Sequence, residues 1–519
     1  MTMTSQHILP DQIFKTQPFA HQLQGLTQSR DAKVYALLME MGTGKTKVII
    51  DNASYLFGKG RINGMIVVAP KSICRNWSMK EIPVHLPDAI DRRVVLWGPR
   101  TKKLQEELEQ LSQVEPLKLH VLVINIEALN TDDGYEMVEK FLRGHDTLMV
   151  VDESTIIKNF KADRTKIAIK LGKLAKYRRI MTGTPVTQSP LDVWSQFEFL
   201  ESGCLGSYNF YGFRAQYAHL AKKRVNGRMF DVVVGYQRLE KLQEILKEIS
   251  FRALKRDCLD LPEKIYEVRY VEMTAEQKSY YKSLRTDALA KLTSGEVVAA
   301  PLVLTQLLRL RQCLCNIAPV MREEGEMGPE VKAVDISKSD PRADEVMNIL
   351  EEAGDQSVII WANFIPSIKK LIHLIGEKYG HDKVGAIYGD IKSEQRNIFV
   401  ERFQGKRAAT VEGNSFASNV MIDIPEAEQI KYIVMQPRTG GYGLTLTKAS
   451  LVIYHDQDWS LEVRQQSEDR AHRIGQLKNV TYIDLIAHGT VDEKIREALM
   501  QKKNLADMVT GDTLRELLT

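Results

Sequence analysis

The sequence has little cysteine and no long apolar run. Its five cysteines form no C-x-x-C pair and have no histidines at zinc-binding spacing, which argues against a disulfide scaffold and favours reduced thiols. We expect Cys313 and Cys315 to pack in a core. No apolar run approaches the ~18 residues of a membrane helix, and the N-terminus has no basic-then-apolar signal pattern. These absences predict a cytoplasmic protein, or a nuclear one in a eukaryote, without a membrane span.

Charge of one sign is also lacking. The 71 basic and 67 acidic side chains leave a net charge of +4, which neither requires nor excludes a nucleic-acid partner. A chain of 519 residues with 44% apolar content is too long for a single core, so we expect about two to four domains. Neither an internal repeat nor a low-complexity tract is visible.

Short apolar runs recur instead, and many end in polar or glycine-rich turns. They lie at 34–39, 65–70, 121–125, 147–153 and 178–185, and again at 357–364, 384–390, 432–438, 451–456 and 480–487. Segments with helical spacing, such as Lys45 to Phe57, separate them. Buried strands that alternate with helices are typical of parallel sheets. The sequence therefore predicts an α/β fold with two parallel-sheet domains, separated by a mostly helical region at 203–330 with a hairpin signal at Asn226-Gly227.

The stretch LLMEMGTGKTKVII has the context of a phosphate-binding loop, because a strand precedes it and a helix follows. The usual pattern is G-x-x-x-x-G-K-[ST], and Met39 stands where the first glycine is expected. Glycines let backbone N–H groups approach phosphate oxygens, and a helix N-terminus adds partial positive charge. The loop residues proposed to bind a nucleotide are Gly42, Thr43, Gly44, Lys45 and Thr46, of which Lys45 neutralises the β/γ-phosphates and Thr46 binds Mg²⁺.

Two acidic residues end another apolar run. Asp152 and Glu153 follow the strand TLMVV, which places both carboxylates at the carboxyl edge of a sheet, where α/β proteins bind ligands. Asp152 is assigned to the Mg²⁺ shell, and Glu153 to positioning or deprotonating the attacking water. The alternative is a pair of solvated acids in a loop.

A third element lies in RQQSEDRAHRIGQ. Gln466, Arg470 and Arg473 have i, i+4, i+7 spacing, which predicts one face of a helix that begins near Ser460 and ends at Gly475. An arginine pair beside a glutamine suits a γ-phosphate. The alternative is an exposed helix whose salt bridges use Glu468 and Asp469. Together, the three elements predict one nucleotide site built from both domains, with the arginines supplied by the second.

Ordered motifs along nearly the whole chain resemble the Swi/Snf-type ATPases of helicase superfamily two. They are PFAHQLQGL, MGTGKT, VVAPKSICRNWSMKE, VINIEAL, VVDESTIIKN, RRIMTGTPVTQSPLDVWSQFEFL, LPEKIYEVRYVEMTAEQKSYY, LTQLLRLRQCLCN, TGGYGLTLTKASLVIYHDQDWS, QSEDRAHRIGQ and GTVDEKIREALMQKKNLADMV. The glycine is absent from the Met39 slot in that family too. The resemblance implies two RecA-like lobes in tandem, at 1–255 and 256–519, with insertions at about 203–250 and 275–330 and bracing helices at the C-terminus.

The resemblance also implies partners and site residues. ATP and Mg²⁺ are the expected cofactors, with Gln22 reading the adenine. Double-stranded DNA is the expected partner, tracked through its backbone, which carries no sequence information. The residues implied to contact DNA are Lys71, Ser72, Asn125, Gly441, Gly443, Thr445 and Trp459, although a packed, structural Trp459 is an open alternative.

Several features depart from the family pattern. Thr155 stands where many relatives carry histidine, Thr445 replaces an asparagine, and Ser460-Leu461 replaces Asn-Pro. The segment 404–431 is far longer than the usual link, and its role is open. The basic residues near Asn226-Gly227, which are Lys222, Lys223, Arg224 and Arg228, fit either a contact with the duplex or a solvated hairpin, and we favour the solvated hairpin.

The sequence thus favours a DNA-dependent ATPase that translocates on double-stranded DNA and remodels DNA or protein–DNA complexes. Two alternatives stay open. One is a strand-separating or annealing helicase that acts on forked DNA or RNA. The other is a nucleotide-gated motor subunit whose protein partner supplies the output.

Overall fold

A computed structural model of the chain describes residues 14–225, 228–293, 300–321, 331–411, 418–440 and 444–510. The chain divides into two compact units. The first comprises the described residues up to Lys223, Met229–Asp260 and the chain from Lys502, and the second comprises Arg224–Arg228 and Leu261–Gln501. Each unit is built around one parallel sheet, so the predicted α/β class with two RecA-like sheets is confirmed.

Nine strands lie in the described part of the chain up to Asp260, and seven of them form the main sheet of the first unit. The strands are β1 (Val34–Met39), β2 (Gly64–Ala69), β3 (Asp91–Leu96), β4 (Lys118–Asn125), β5 (Thr147–Asp152), β6 (Tyr177–Met181), β7 (Ala218–Val225), β8 (Arg228–Tyr236) and β9 (Ser250–Ala253). The main sheet has the order β3-β4-β2-β5-β6-β1-β9 with every pair parallel. The strands β7 and β8 pair separately, as a two-stranded hairpin.

Eleven α-helices accompany these strands. They are α1 (Ala20–Ser29), α2 (Lys45–Gly58), α3 (Lys71–Asn76), α4 (Ile82–His85), α5 (Lys102–Leu111), α6 (Asp132–Gly144), α7 (Asp163–Gly172), α8 (Val193–Leu200), α9 (Phe210–Tyr217), α10 (Leu239–Glu248) and α11 (Lys255–Cys258). Strand residues alternate between two cores: Ala36 and Leu38 belong to one, whereas Leu37 and Met39 belong to the other. Both faces of the sheet are therefore covered, which explains why its inner strands are apolar throughout.

The second unit contains ten strands. They are β10 (Lys264–Val271), β11 (Ile317–Met321), β12 (Val331–Asp335), β13 (Val358–Trp361), β14 (Val384–Ile387), β15 (Lys406–Val411), β16 (Ser418–Asp423), β17 (Tyr432–Met435), β18 (Leu451–Tyr454) and β19 (Val480–Ala487). Six of them form a parallel sheet in the order β10-β19-β18-β13-β17-β14. The pairs β11–β12 and β15–β16 are antiparallel and separate from it.

The described α-helices that begin in the second unit are numbered α12 to α19. They are α12 (Ala275–Thr293), α13 (Ala300–Leu314), α14 (Pro341–Glu352), α15 (Ile365–Tyr379), α16 (Ser393–Gln404), α17 (Pro437–Gly440), α18 (Leu461–Glu468) and α19 (Val491–Thr510). Across the described parts of both units, none of the helices has the length and apolar content needed to cross a membrane. Cys313 and Cys315 are buried, as predicted, and none of the five cysteines, all of which the structure describes, forms a disulfide.

Each of the ten predicted apolar runs contains a strand. The parallel strands that sequence reasoning missed are β3, β9 and β10, which lie at sheet edges. An edge strand is less enclosed, and β10 carries exposed side chains at Ile265, Tyr266 and Tyr270, so it lacks the uninterrupted apolar pattern of a central strand.

Predictions for two segments need correction, one at 203–330 and one at 404–431. The region 203–330 is less helical than expected, because β9 to β11 lie in it in addition to the predicted hairpin, which β7 and β8 form. The segment 404–431 is not one long loop, since β15 and β16 pair with Lys406 opposite Asp423. The predicted turn residues Asn226 and Gly227 lie outside the described residues, although the strands on either side of them do pair.

Candidate functional site

The loop between β1 and α2 has a backbone that requires glycine. Gly42 and Gly44 have φ angles of 82° and 86°, in the left-handed region that residues with a Cβ avoid. Gly44 is also the N-cap of α2, and a Cβ added to it would lie 2.1 Å from Gln22 Nε2. The predicted cradle is therefore present, and its glycines are needed for both conformation and space.

Lys45 begins α2 and is directed back toward its own loop. Its side chain is buried, and Nζ donates to the carbonyls of Met39 at 2.9 Å and Glu40 at 3.3 Å. Thr43 Oγ1 donates to the Glu40 carbonyl at 2.7 Å, which tightens the same turn. Thr46 is the second residue of α2 and is half-buried. The ammonium group thus lies beside the loop that precedes the N-terminus of α2, and such a terminus favours anions.

Two side chains of α1 fix the loop from outside. Gln22 Nε2 donates to the Thr43 carbonyl at 3.1 Å, and Gln22 Oε1 accepts from the Phe19 backbone N–H at 3.0 Å. His21 Nε2 is 2.8 Å from the same Thr43 carbonyl. The structure therefore brings Gln22 to the loop, and its reading of adenine stays a prediction.

The two acids at the end of β5 are buried. Asp152 and Glu153 are 4% and 6% exposed, so the alternative of two solvated acids is wrong. Asp152 Oδ1 accepts from the Glu153 backbone N–H at 2.8 Å, and Glu153 has a φ angle of 47°. Burial raises the pKa of Asp152, an effect that hydrogen bonding to Trp77 and the charge of Lys45 partly offset.

Trp77 holds the other oxygen of Asp152, and sequence reasoning assigned it no role. Its indole Nε1 donates to Asp152 Oδ2 at 2.7 Å, and the ring is 1% exposed. The residue begins a short π-helix, Trp77–Glu81, directly after α3, and π-helical turns are frequent at functional sites. The one signal was an aromatic residue in the polar stretch RNWSMKE. Both carboxylate oxygens of Asp152 thus accept hydrogen bonds from the protein.

The acid pair is connected to the TGTP segment at 182–185. Thr182 Oγ1 donates to Glu153 Oε2 at 3.4 Å, and Ser154 Oγ donates to Gln196 Oε1 at 2.7 Å. Gln196 Nε2 in turn donates to the Pro185 carbonyl at 2.8 Å. The departure at Thr155 therefore does not disconnect the two motifs, because Ser154 and Gln196 join them.

The predicted DNA contacts in the first unit share one sheet edge. Lys71 and Ser72 are exposed in the first turn of α3, which follows β2. Asn125 ends β4 opposite Ala69 of β2, and its Nδ2 donates to Glu127 Oε2 at 2.9 Å. These polar groups lie at the carboxyl edge of the sheet, where the prediction requires them, but a contact with DNA stays a prediction.

In the second unit, part of the predicted DNA set cannot be placed. Gly441 and Gly443 lie outside the described residues, and Thr445 is half-buried. Trp459 is also half-buried and packs against an apolar cluster that includes Leu461 and Val491. The structural alternative for Trp459 is therefore supported by its packing.

The predicted helix with Gln466, Arg470 and Arg473 is shorter than expected. Its start is as predicted, because Ser460 Oγ accepts from the Val463 backbone N–H at 3.3 Å. Helix α18 ends at Glu468, however, so Arg470 and Arg473 do not lie on its face. The side chain of Arg470 contributes to this early end of the helix. Its Nε donates to the Gln466 carbonyl at 2.9 Å, the carbonyl that the Arg470 backbone N–H would bond if the helix continued.

The two arginines nevertheless come together. Arg470 Nη1 and Arg473 Nη1 donate to the carbonyl of Leu444, at 3.1 and 3.2 Å. Arg470 is 4% exposed and Arg473 is half-buried. Gln466 is buried on α18, and its Nε2 donates to Glu462 Oε1 at 3.2 Å. Two cationic groups therefore converge on one backbone carbonyl, a geometry that the helix interpretation did not predict.

The acids of this segment form ion pairs, but with other partners and in the interior. Glu468 pairs with Arg464 at 2.7 Å and with Lys264 at 3.1 Å, and Lys264 is 3.4 Å from Asp469. Burial alone would raise the pKa of Glu468, but the charges of Lys264 and Arg464 lower it to about 2. The alternative of an exposed salt-bridged helix is thus wrong about exposure, since this cluster is buried.

The groups present in the first unit fit a magnesium nucleotide. A glycine cradle that a Cβ would fill adjoins the N-terminus of a 14-residue helix, and such a terminus favours phosphate. A lysine, a hydroxyl group and a carboxylate, from Lys45, Thr46 and Asp152, supply the charge and oxygen ligands that a phosphate and Mg²⁺ require. This arrangement defines the phosphate-loop class of α/β protein.

Comparison with known families identifies the chain within that class. The SNF2-related domain matches residues 23–318, and the helicase conserved C-terminal domain matches residues 341–475. Because the first match alone covers more than half of the chain, the protein belongs to the SNF2-related family. The resemblance to Swi/Snf-type members of helicase superfamily two is confirmed.

Several relatives match over almost the whole chain. YwqA of Bacillus subtilis, named as an ATP-dependent helicase/translocase, is 27% identical over 91% of this chain and 46% of its own length. CHROMATIN REMODELING 24 of Arabidopsis thaliana is 27% identical over 97% of this chain and 47% of its own. Human chromodomain-helicase-DNA-binding protein 1 is 26% identical over 91% and 25%. The chain thus spans less than half the length of these relatives.

Solved structures give a weaker likeness. The SWI2/SNF2 ATPase core of Sulfolobus solfataricus in complex with dsDNA has a TM-score of 0.40 and 23% identity, and the match covers 96% of this chain and 94% of that one.

Proposed function

We propose that this protein is a DNA-dependent ATPase that translocates on double-stranded DNA and thereby remodels DNA or protein–DNA complexes. The observation that carries the proposal is the site of the first unit, where a glycine cradle and Lys45 adjoin two buried, oriented acids. Buried carboxylates that adjoin a phosphate loop suit metal binding and proton transfer.

Each group at this site has a role in hydrolysis. Lys45 exchanges its bonds to the Met39 and Glu40 carbonyls for the β- and γ-phosphate oxygens. Thr46 and Asp152 would hold Mg²⁺, which would supply positive charge to the phosphates. Glu153 orients the attacking water and accepts its proton. Gln22, already hydrogen-bonded to the loop, reads the adenine.

The second unit supplies the remaining charge. Arg470 and Arg473 move from the Leu444 carbonyl to the triphosphate, and Gln466 supports them. Guanidinium groups that act in this way stabilise the charge of the transition state. Loss of the γ-phosphate removes their anionic partner, so each turnover changes how the two units engage, and this change drives movement along DNA.

Phosphate contacts hold the duplex. Lys71, Ser72 and Asn125 from the first unit, with Gly441, Gly443, Thr445 and Trp459 from the second, are the proposed contacts. The names of the relatives, which refer to helicases, a translocase and DNA binding, motivate this assignment. Contacts of this kind bind without reading bases and are strongly salt-dependent.

The test is ATP turnover with a panel of single-stranded, duplex and forked DNA and of RNA. We expect turnover to rise most with duplex DNA and to fall steeply as salt increases. Equal turnover with and without DNA would contradict the proposal. Unwinding of a labelled fork would instead favour the strand-separating helicase, and stimulation only by a co-purifying protein would favour the motor subunit.

A further inference from the structure

The β7–β8 hairpin is anchored firmly at its base. The Gln237 backbone N–H donates to the Tyr217 carbonyl at 3.0 Å where the two strands meet the body of the first unit. Tyr217 is fully buried, and Val233 and Tyr236 pack against the same core. The base of the hairpin is therefore anchored to the core of the first unit, whereas Arg224 near its tip groups with the second unit.

A run of three basic residues lies toward its tip. Lys222, Lys223 and Arg224, here called the basic triplet, are exposed. At about 3.3 Å per residue along a strand, they lie roughly 13 to 20 Å beyond the base at Ala218. Among the described residues, none of the three has an acidic side chain within ion-pair distance; the one acid described in β8, Asp231, pairs with Arg214 at 3.3 Å.

Strand β8 of the hairpin carries several exposed apolar side chains. In β8, Met229 and Phe230 are 56% and 50% exposed, and Val232 and Val234 are also exposed. Exposed apolar groups that cluster beside a charged rim mark a contact surface more often than a solvated one. The exposed apolar side chains therefore favour a contact with the duplex over the solvated hairpin that we favoured from the sequence.

We propose that the β7–β8 hairpin is a second contact with double-stranded DNA, outside the motor motifs, in which the basic triplet binds backbone phosphates. The inference rests on the proposed function, because duplex DNA is the polyanion that the function supplies. The triplet has no acidic partner among the described residues that would compete with a phosphate, and each phosphate it neutralises releases counterions. Phe230, Val232 and Val234 share one face of β8, because alternate residues of a strand do so. They would lie against the sugar edges or the minor groove, where apolar side chains of DNA-binding proteins pack.

The test is a charge reversal, Lys222→Glu with Lys223→Glu and Arg224→Glu. Affinity for duplex DNA is measured by fluorescence anisotropy without nucleotide at several salt concentrations. We expect affinity to fall by about tenfold or more, and the slope of log affinity against log salt to become less steep by about two to three, because up to three phosphate contacts are lost. Turnover without DNA and the melting temperature should be unchanged, since the triplet touches no part of the nucleotide site.

The matched control is the triple reversal of Lys102, Lys140 and Lys173, which are exposed in the same unit and change the net charge equally. Affinity and slope that stay at wild-type values in the hairpin variant, or that fall equally in the control, would overturn the inference. If the wild-type protein itself binds no duplex, the proposed function fails instead. Should the glutamate variant not fold, the corresponding glutamine triple provides the same comparison.

Discussion

The phosphate loop of the first unit and the arginine segment of the second were both visible as motifs, yet only the loop has the predicted geometry. Its glycines, Lys45 and the strand and helix around it form as expected. In the second unit, α18 ends before Arg470 and Arg473. A loop whose conformation depends on its own glycines can be read locally, whereas the end of a helix depends on what its side chains find elsewhere in the fold.

Distant partners decide the course of the arginine segment. Glu468 is held by Lys264, which is distant in sequence, and Tyr482 Oη donates to the Glu468 carbonyl at 2.8 Å. The arginines themselves bond to Leu444. The spacing of RQQSEDRAHRIGQ contains no signal for these contacts. The i, i+4, i+7 spacing therefore predicted a helix face shared by Gln466, Arg470 and Arg473, whereas α18 ends at Glu468.

Apart from the arginine variants, the largest loss of ATP hydrolysis is expected at Glu153, beside the phosphate loop. In Glu153→Gln, ATP hydrolysis should fall by about 10²- to 10⁴-fold because the general base is lost, while ATP affinity is retained. Steady-state turnover and nucleotide titration separate the two. The exposed Glu201 offers a control in Glu201→Gln, which should match the wild type. Normal turnover in Glu153→Gln would show that the base lies elsewhere.

The arginine segment should be the part that is sensitive to acid. Because the folded-state pKa of Glu468 is lowered to about 2 from 4.5, its contribution to stability is fully present above about pH 4.5 and is lost as pH falls toward 2. Between pH 5 and pH 3 this amounts to about 2 kcal/mol. Urea midpoints at the two pH values should therefore differ less in Glu468→Gln than in the wild type. An equal difference would mean that Glu468 is not the group responsible.

A smaller effect is expected at Trp77, the residue missed beside the phosphate loop. Trp77→Phe removes the indole donor to Asp152, a hydrogen bond to a charged group worth roughly 1.5 to 3 kcal/mol. We expect ATP affinity in the presence of Mg²⁺ to fall by at least about tenfold, and affinity in excess chelator to stay the same. Trp194→Phe is the matched control, since that indole donates to the Ser207 carbonyl at 3.3 Å. A loss that is independent of Mg²⁺ would indicate a packing role alone.

For the strands and the two acids as well, features that depend on neighbouring residues were predictable from the sequence, and features that depend on distant residues were not. Central strands such as β1 and β5 were predictable, because burial on both faces leaves an uninterrupted apolar run. The edge strand β10 was not, since its exposed tyrosines interrupt the pattern. Asp152 and Glu153 were predictable from the strand that ends in them. Their bonds to Trp77 and Thr182 were not, because those partners come from other elements.

The proposed function requires that cations of the second unit act on the nucleotide bound by the first. Arg473 tests this requirement most directly because it is less buried than Arg470. In single-turnover hydrolysis with saturating MgATP and duplex DNA, Arg473→Ala should be slower by about 10³- to 10⁵-fold, with ATP affinity retained. Arg438→Ala, an exposed arginine of the same unit, should react at the wild-type rate. A loss below about tenfold in both Arg473→Ala and Arg470→Ala would contradict the account.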